Sequence, residues 1–200
     1  MKTRAFRLAV LAVFAIPATA QAHSAIPGVE GFYSGLLHPV STPAQVLLLL
    51  GVGLLIGGLK EKSFGKWLGL FCGATVLGMA FGRWFGRLDE VMFAIAFLAC
   101  AQAALAPGKL LSTAAGLVFL GGVCIGAVSV PDAGPVRDRL VAVTGAFLGA
   151  NAGLLYIVGA RVIISDKISL AWVDVGLRVA AAWLAAISAI MLALQFAPVT

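Results

Sequence analysis

Three observations predict that this chain folds as an all-α bundle, a polytopic membrane protein of about six transmembrane helices. Apolar residues fill 62% of its 200 positions and charged residues only 11%. The mean hydropathy is +1.07. The apolar residues fall into successive runs close to the roughly 20 residues that cross a bilayer, with the charges gathered between the runs. A soluble domain of this length has no use for so much apolar surface. Glycine is also abundant, 24 of 200, as suits helices packed closely within a membrane.

The polar front comes first. Met1 to Ala22 reads as a secretory signal peptide. Lys2, Arg4 and Arg7 form its basic end, Leu8 to Ile16 a short apolar core, Pro17 a break, and Ala20-Gln21-Ala22 a cleavage site. The apolar core is too short to span comfortably. Loss of three basic residues would lower the net charge from +6 to +3. The expected division is therefore a signal peptide over 1–22 and one six-helix transmembrane domain over 23–200. Cleavage makes His23 the new N-terminus. Its amine and imidazole form a chelating pair suited to copper or nickel, although a first residue can also simply be solvated.

From His23 to Glu30 the chain is turn-like, with Pro27 and Gly28. Gly31 to His38 predicts a short interfacial helix anchored by Phe32 and Tyr33. The six spans follow at about Pro43–Leu59, Trp67–Phe85, Val91–Ala106, Leu110–Val130, Leu140–Ala160 and Trp172–Phe196. The intervening segments include a basic loop from Lys60 to Lys66, a polar loop from Pro131 to Arg139, and a loop from Arg161 to Ser169. Six spans after a cleaved signal put both mature termini outside. The loops then expected inside carry Lys60, Lys62, Lys66, Lys109, Arg161 and Lys167. Those expected outside carry Arg83, Arg87, Arg137 and Arg139. This bias agrees with the tendency of Lys and Arg to stay on the cytoplasmic side.

The chemically informative stretch is the entry to the first span. His38 is one of two histidines in the chain, and Pro39 and Pro43 flank Ser41. Histidine ligates metals or carries protons. Each proline removes a backbone donor and disfavours helix in the residue before it. A broken or re-entrant backbone is expected from His38 to Pro43, and such backbone at membrane depth must line a cavity or pack against protein.

Glycines recur every fourth residue: Gly65, Gly69 and Gly73, then Gly78, Gly82 and Gly86; Gly122 and Gly126; Gly145, Gly149 and Gly153. Residues four apart share a helix face, so these stripes predict close helix packing, or a thin wall beside a substrate path. Asn151, in the middle of the fifth span, must find a partner: either as structural glue or as a substrate contact. Asp174 and Arg178, four apart on the sixth span, are expected to pair. Cys72, Cys100 and Cys124 all lie in apolar runs, and their odd number and spacing argue against a disulfide framework. The chain has no phosphate-cradling loop and no nucleophile with a second histidine. Its basic residues are scattered loop charges. An enzyme and a nucleic-acid partner are therefore not expected.

The run Gly31-Phe32-Tyr33-Ser34-Gly35-Leu36-Leu37-His38-Pro39, the Ala-His start after cleavage, the six spans and the glycine-rich helices resemble the HupE/UreJ family. That group comprises small membrane proteins linked to hydrogenase and urease clusters and regarded as nickel or cobalt permeases. The resemblance runs over the whole mature chain. It implies a multi-pass protein of the bacterial inner membrane with a periplasmic mature N-terminus, His38 and His23 as metal ligands at its mouth, and a transported nickel or cobalt ion in place of a resident cofactor. Where the family continues His-Pro-x-x-Gly-x-Asp-His, this chain has Ala44 and Gln45 at the last two positions. Where the family's fourth span carries His-Gly-x-x-His-Gly-x-Glu, this chain keeps Gly122 and Gly126 and has Gly121, Ile125 and Val128 at the ligand positions. The substrate path expected here is Ser41, Gln45, Asn151 and Cys124. The alternative is a non-transporting accessory or structural subunit of a larger membrane complex; the expected partners are the lipid bilayer and either further copies of the chain or such a complex.

Overall fold

A computed structural model describes residues 31–59, 64–82, 88–131, 134–168 and 170–197. The signal peptide and His23 lie outside them. Seven helices and no strand occur among the described residues: α1 Phe32–Ser41, α2 Pro43–Gly57, α3 Phe64–Phe81, α4 Asp89–Leu105, α5 Leu111–Val128, α6 Val136–Lys167 and α7 Ala171–Gln195. The helices α3, α5, α6 and α7 are each long and apolar enough to cross a membrane. The pair α1 and α2, bent by 72°, makes a fifth crossing if counted as one span. The remaining expected span, the third at Val91–Ala106, is α4. Its 17 residues sit at the lower limit for a crossing.

Local chemistry sets the boundaries. Thr42 is extended, at φ −105° and ψ 118°, because it precedes Pro43. Pro43 then starts α2 at a position where its missing N–H costs nothing. Asp89 and Glu90 occupy the first turn of α4, where the helix dipole favours negative charge. Pro107 and Gly108 end that helix, with Gly108 at φ 71°. Leu110 follows at φ 54°, a left-handed conformation that few side chains adopt. The buried Gln102 holds this turn: its Nε2 donates to Lys109 O at 2.9 Å and Leu110 O at 3.1 Å.

Two expectations about charged residues are corrected. The segment from Arg161 to Lys167 is not a loop but the last two turns of α6, with Arg161 donating to Ser165 Oγ one turn on. Asp174 and Arg178 do not pair with each other. Asp174 approaches Arg161 at 3.8 Å. Arg178 Nε donates to Ala104 O at 2.7 Å, because the last carbonyls of α4 have no helical donor of their own.

The hub is α2. Ten of its fifteen residues are buried, among them Leu48, Leu49, Val52, Leu55 and Ile56. It packs against α4, α5, α6 and α7. The helix α7 turns apolar residues outward instead, with Trp183 70% exposed and Ile190 60% exposed. On a soluble protein such a face would be an aggregation liability; on a membrane bundle it is the lipid-facing surface.

Glycine decides how closely the outer helices pack, and it does so at two junctions. Where α3 runs beside α5 in the same direction, a Cβ at Gly78 would lie 2.9 Å from Ala127 N. One at Gly122 would lie 2.8 Å from Phe71 O, and one at Gly126 2.9 Å from Thr75 C. Gly82 meets Ala127 in the same way. Where α1 runs beside α6, a Cβ at Gly145 would lie 2.9 Å from Leu36 N and one at Gly149 2.9 Å from Leu36 C. Gly35 answers from α1, 2.8 Å from Ala142 C. Backbone stands against backbone at both junctions, which is what small residues at every fourth position permit.

The stripe does not extend as far as its spacing predicts. Nothing lies within 4 Å of a Cβ built on Gly65, Gly69 or Gly73, and Gly153 makes only ordinary contact with Leu49. Gly69 and Gly73 therefore lie on an open face of α3 and do not pack helices within this chain. A direct comparison follows. Gly73→Ala should leave stability unchanged or raise it by up to about 1 kcal/mol, through the entropy glycine loses in a helix. Gly126→Ala should lower it by about 1–3 kcal/mol, through overpacking. Thermal melting of the two purified variants checks both signs.

Candidate functional site

The bend between α1 and α2 places the candidate site. Gly149 of α6 lies against Leu36, and Gly153 against Leu49. Between these contacts α6 advances four residues while the other strand of chain uses thirteen. The surplus is a sideways excursion from Leu37 to Leu48 that carries His38, Ser41 and Gln45.

Proline chemistry explains why the excursion holds. Pro39 lies inside α1, so Gly35 O has no amide to accept from at the next turn. Pro43 removes the corresponding donor from Pro39 O. The turn is secured by side chains instead. Ser41 Oγ donates to His38 O at 3.0 Å, and Thr42 Oγ1 donates to the same oxygen at 3.3 Å. Both are short hydroxyl side chains well suited to bonding local backbone.

Across the bend, Gln45 Nε2 and His38 Nε2 stand 3.2 Å apart. On a straight helix, residues seven apart lie about 10.5 Å apart along the axis, so the contact exists only because the chain folds back. One group must donate. The amide N–H can donate to an imidazole that keeps its proton on Nδ1, or, with the amide turned over, imidazole Nε2–H can donate to Oε1. In the first arrangement Gln45 Oε1 is buried without a hydrogen-bond partner. Gln45 is 1% exposed and His38 is half-buried.

The site is thus rich in acceptors. With the amide N–H donating to the imidazole Nε2, Gln45 Oε1 and the carbonyls of Gly35 and Pro39 each lack one ordinary donor. Such a set suits a cation or a hydrogen-bond donor. As a transition-metal site it offers one imidazole and neutral oxygens, fewer nitrogen or sulfur ligands than such ions favour. No group of three or more His, Cys, Asp or Glu able to hold a metal occurs among the described residues.

The other expected path residues lie elsewhere. Asn151 satisfies its amide on its own helix, donating to Phe147 O at 2.9 Å. It lines a groove on the outside of the bundle with Leu68, Gly69, Cys72 and Leu148. Cys124 is buried in α5, in the apolar core. The structure brings together His38, Ser41 and Gln45, and separates them from Asn151 and Cys124.

Sequence reasoning took Arg139 for an ordinary loop charge. In the structure its Nε is buried and without a partner, at the start of α6. The position of Arg139 immediately before the apolar stretch that begins at Leu140 was the available signal. No family model, curated protein or solved structure matches this chain.

Proposed function

We propose that this protein is a small permease of the HupE/UreJ type, moving a divalent transition metal, nickel or cobalt, or another small cationic solute. His38 and Gln45 form the entry. The observation that carries the reading is the bent α1–α2 pair with a buried glutamine amide at its elbow, one of whose two polar atoms has no partner. Interrupted helices are a usual way for transporters to present backbone carbonyls to an ion. A buried polar group without a partner is costly to the fold, which favours a functional reason for keeping it. On this reading the protein sits in the bacterial inner membrane with its N-terminal side outward.

The test is uptake together with metal content. Cells or proteoliposomes carrying wild type should accumulate nickel or cobalt, and purified protein should retain one of them at near-stoichiometric level. His38→Ala should lower both by at least about tenfold, the equivalent of one lost ligand interaction of about 1.4 kcal/mol. Its level in the membrane should not change. Undiminished uptake in His38→Ala would remove the imidazole from the pathway.

A second reading has its own observation. The open face at Gly65, Gly69 and Gly73 suits close approach by another helix, as in a non-transporting accessory subunit. Absence of any metal or solute uptake, with a stable membrane partner recovered from the native membrane, would favour it.

A further inference from the structure

A second feature of the molecule is a groove of about 270 Å³ lined by Met79, Val130, Val136, Arg139, Leu140 and Val143. It lies between the end of α3 and the start of α6, away from the α1–α2 bend. Five of the six described lining residues are apolar. The sixth is an arginine in the first turn of a 32-residue helix. Arg139 Nε is buried and has no hydrogen-bond partner. The nearest acidic residue in sequence, Asp138, is exposed to solvent and pairs with no described residue.

We propose that this groove is a binding site for one anionic phospholipid, with the headgroup phosphate on Arg139 and an acyl chain along Met79, Leu140 and Val143. Charge complementarity names the occupant. A half-buried guanidinium whose Nε is enclosed and unpartnered beside apolar side chains favours an anion, and its planar fork matches phosphate geometry. The N-terminal end of α6 adds partial positive charge on the same side. Depth argues the same way. Val136 and Arg139 stand where α6 begins, next to the polar loop, and Leu140 and Val143 open its apolar stretch, the order expected of a headgroup site above an acyl groove. An ordinary interfacial arginine extends its charged end into water. This one has its Nε enclosed.

The experiment uses the full chain, purified in a neutral detergent and stripped of lipid. Phosphatidylglycerol and phosphatidylcholine of the same acyl composition are titrated in, with binding read by native mass spectrometry and stabilisation by melting temperature. The expected result is a single phosphatidylglycerol bound at least about tenfold more tightly than phosphatidylcholine, a ratio one charge-assisted contact can supply. Arg139→Gln should erase that preference and Arg139→Lys should keep part of it. Equal affinity for the two lipids in wild type overturns the site. So does an Arg139→Gln variant that keeps the preference, and so does inorganic phosphate alone raising the melting temperature as much as the lipid. Should Arg139→Gln fail to accumulate, the wild-type ratio and the Arg139→Lys titration still decide the matter.

Discussion

Gly149→Leu should prevent α1 from docking on α6 and lower stability by about 3 kcal/mol or more. Inserting even small groups into a packed core costs about 1–3 kcal/mol when side chains can give way. Here the obstacle is backbone: a Cβ at Gly149 would lie 2.9 Å from Leu36 C and 3.2 Å from Leu36 Cα. Neither helix can yield by a rotamer change, so they must separate. Gly145, one turn earlier, is held just as closely against Phe32 and Leu36, so separation at one point opens the whole junction. The measurement is the yield of monodisperse protein and its melting temperature, with Gly69→Leu as control, since nothing stands within 4 Å of that position. A Gly149→Leu protein that melts like wild type would show that α1 is not held to α6 through this contact.

The same substitution bears on the candidate site. The helix α1 is anchored through Gly35, Gly145 and Gly149, while the elbow at His38 to Gln45 hangs between that anchor and the buried hub helix. Loosening α1 should let His38 drift from Gln45 and lower uptake as well as stability. Stability and uptake therefore fall together in Gly149→Leu, whereas uptake falls alone in His38→Ala.

The fold class was legible because hydropathy runs and bilayer thickness set it directly. Helix ends within a few residues followed from Pro43 and the Pro107-Gly108 pair, which act locally, while the first turn at Asp89 and Glu90 was missed because its charges read as loop. The helical continuation of α6 to Lys167 was hidden, because Arg161 to Ser169 is polar enough to pass for a loop. Helix there extends beyond the apolar stretch, and Arg161 finds Ser165 and Asp174 through tertiary geometry. The glycine spacing identified which stripes could pack closely. It did not tell which face of α3 would be covered, since Gly69 and Gly78 fall in the same helix and only Gly78 meets a neighbour. The bend at the candidate site was legible from two prolines four apart. The meeting of His38 with Gln45 was not, because it depends on the angle between α1 and α2 and on where α6 clamps each of them.

Gln45→Leu should abolish uptake while leaving the fold as stable as wild type or slightly more so. Three terms decide the sign. Removing the buried, unpartnered Oε1 relieves a desolvation cost of about 1–3 kcal/mol. Losing the 3.2 Å contact to His38 costs about 1 kcal/mol. Leucine is close to glutamine in volume and enters surroundings that already include Ala44, Leu48 and Leu49, so no cavity term arises. The net is between no change and about 2 kcal/mol of added stability. A polar residue kept for structure behaves the opposite way, since its removal leaves a partner unsatisfied. Melting temperature and nickel or cobalt uptake are therefore to be measured on the same preparation. A stable, inactive Gln45→Leu protein places the glutamine in the permeation path. A destabilised one makes Gln45 a brace for the elbow, and leaves His38 and the proline-freed carbonyls as the groups that meet the solute.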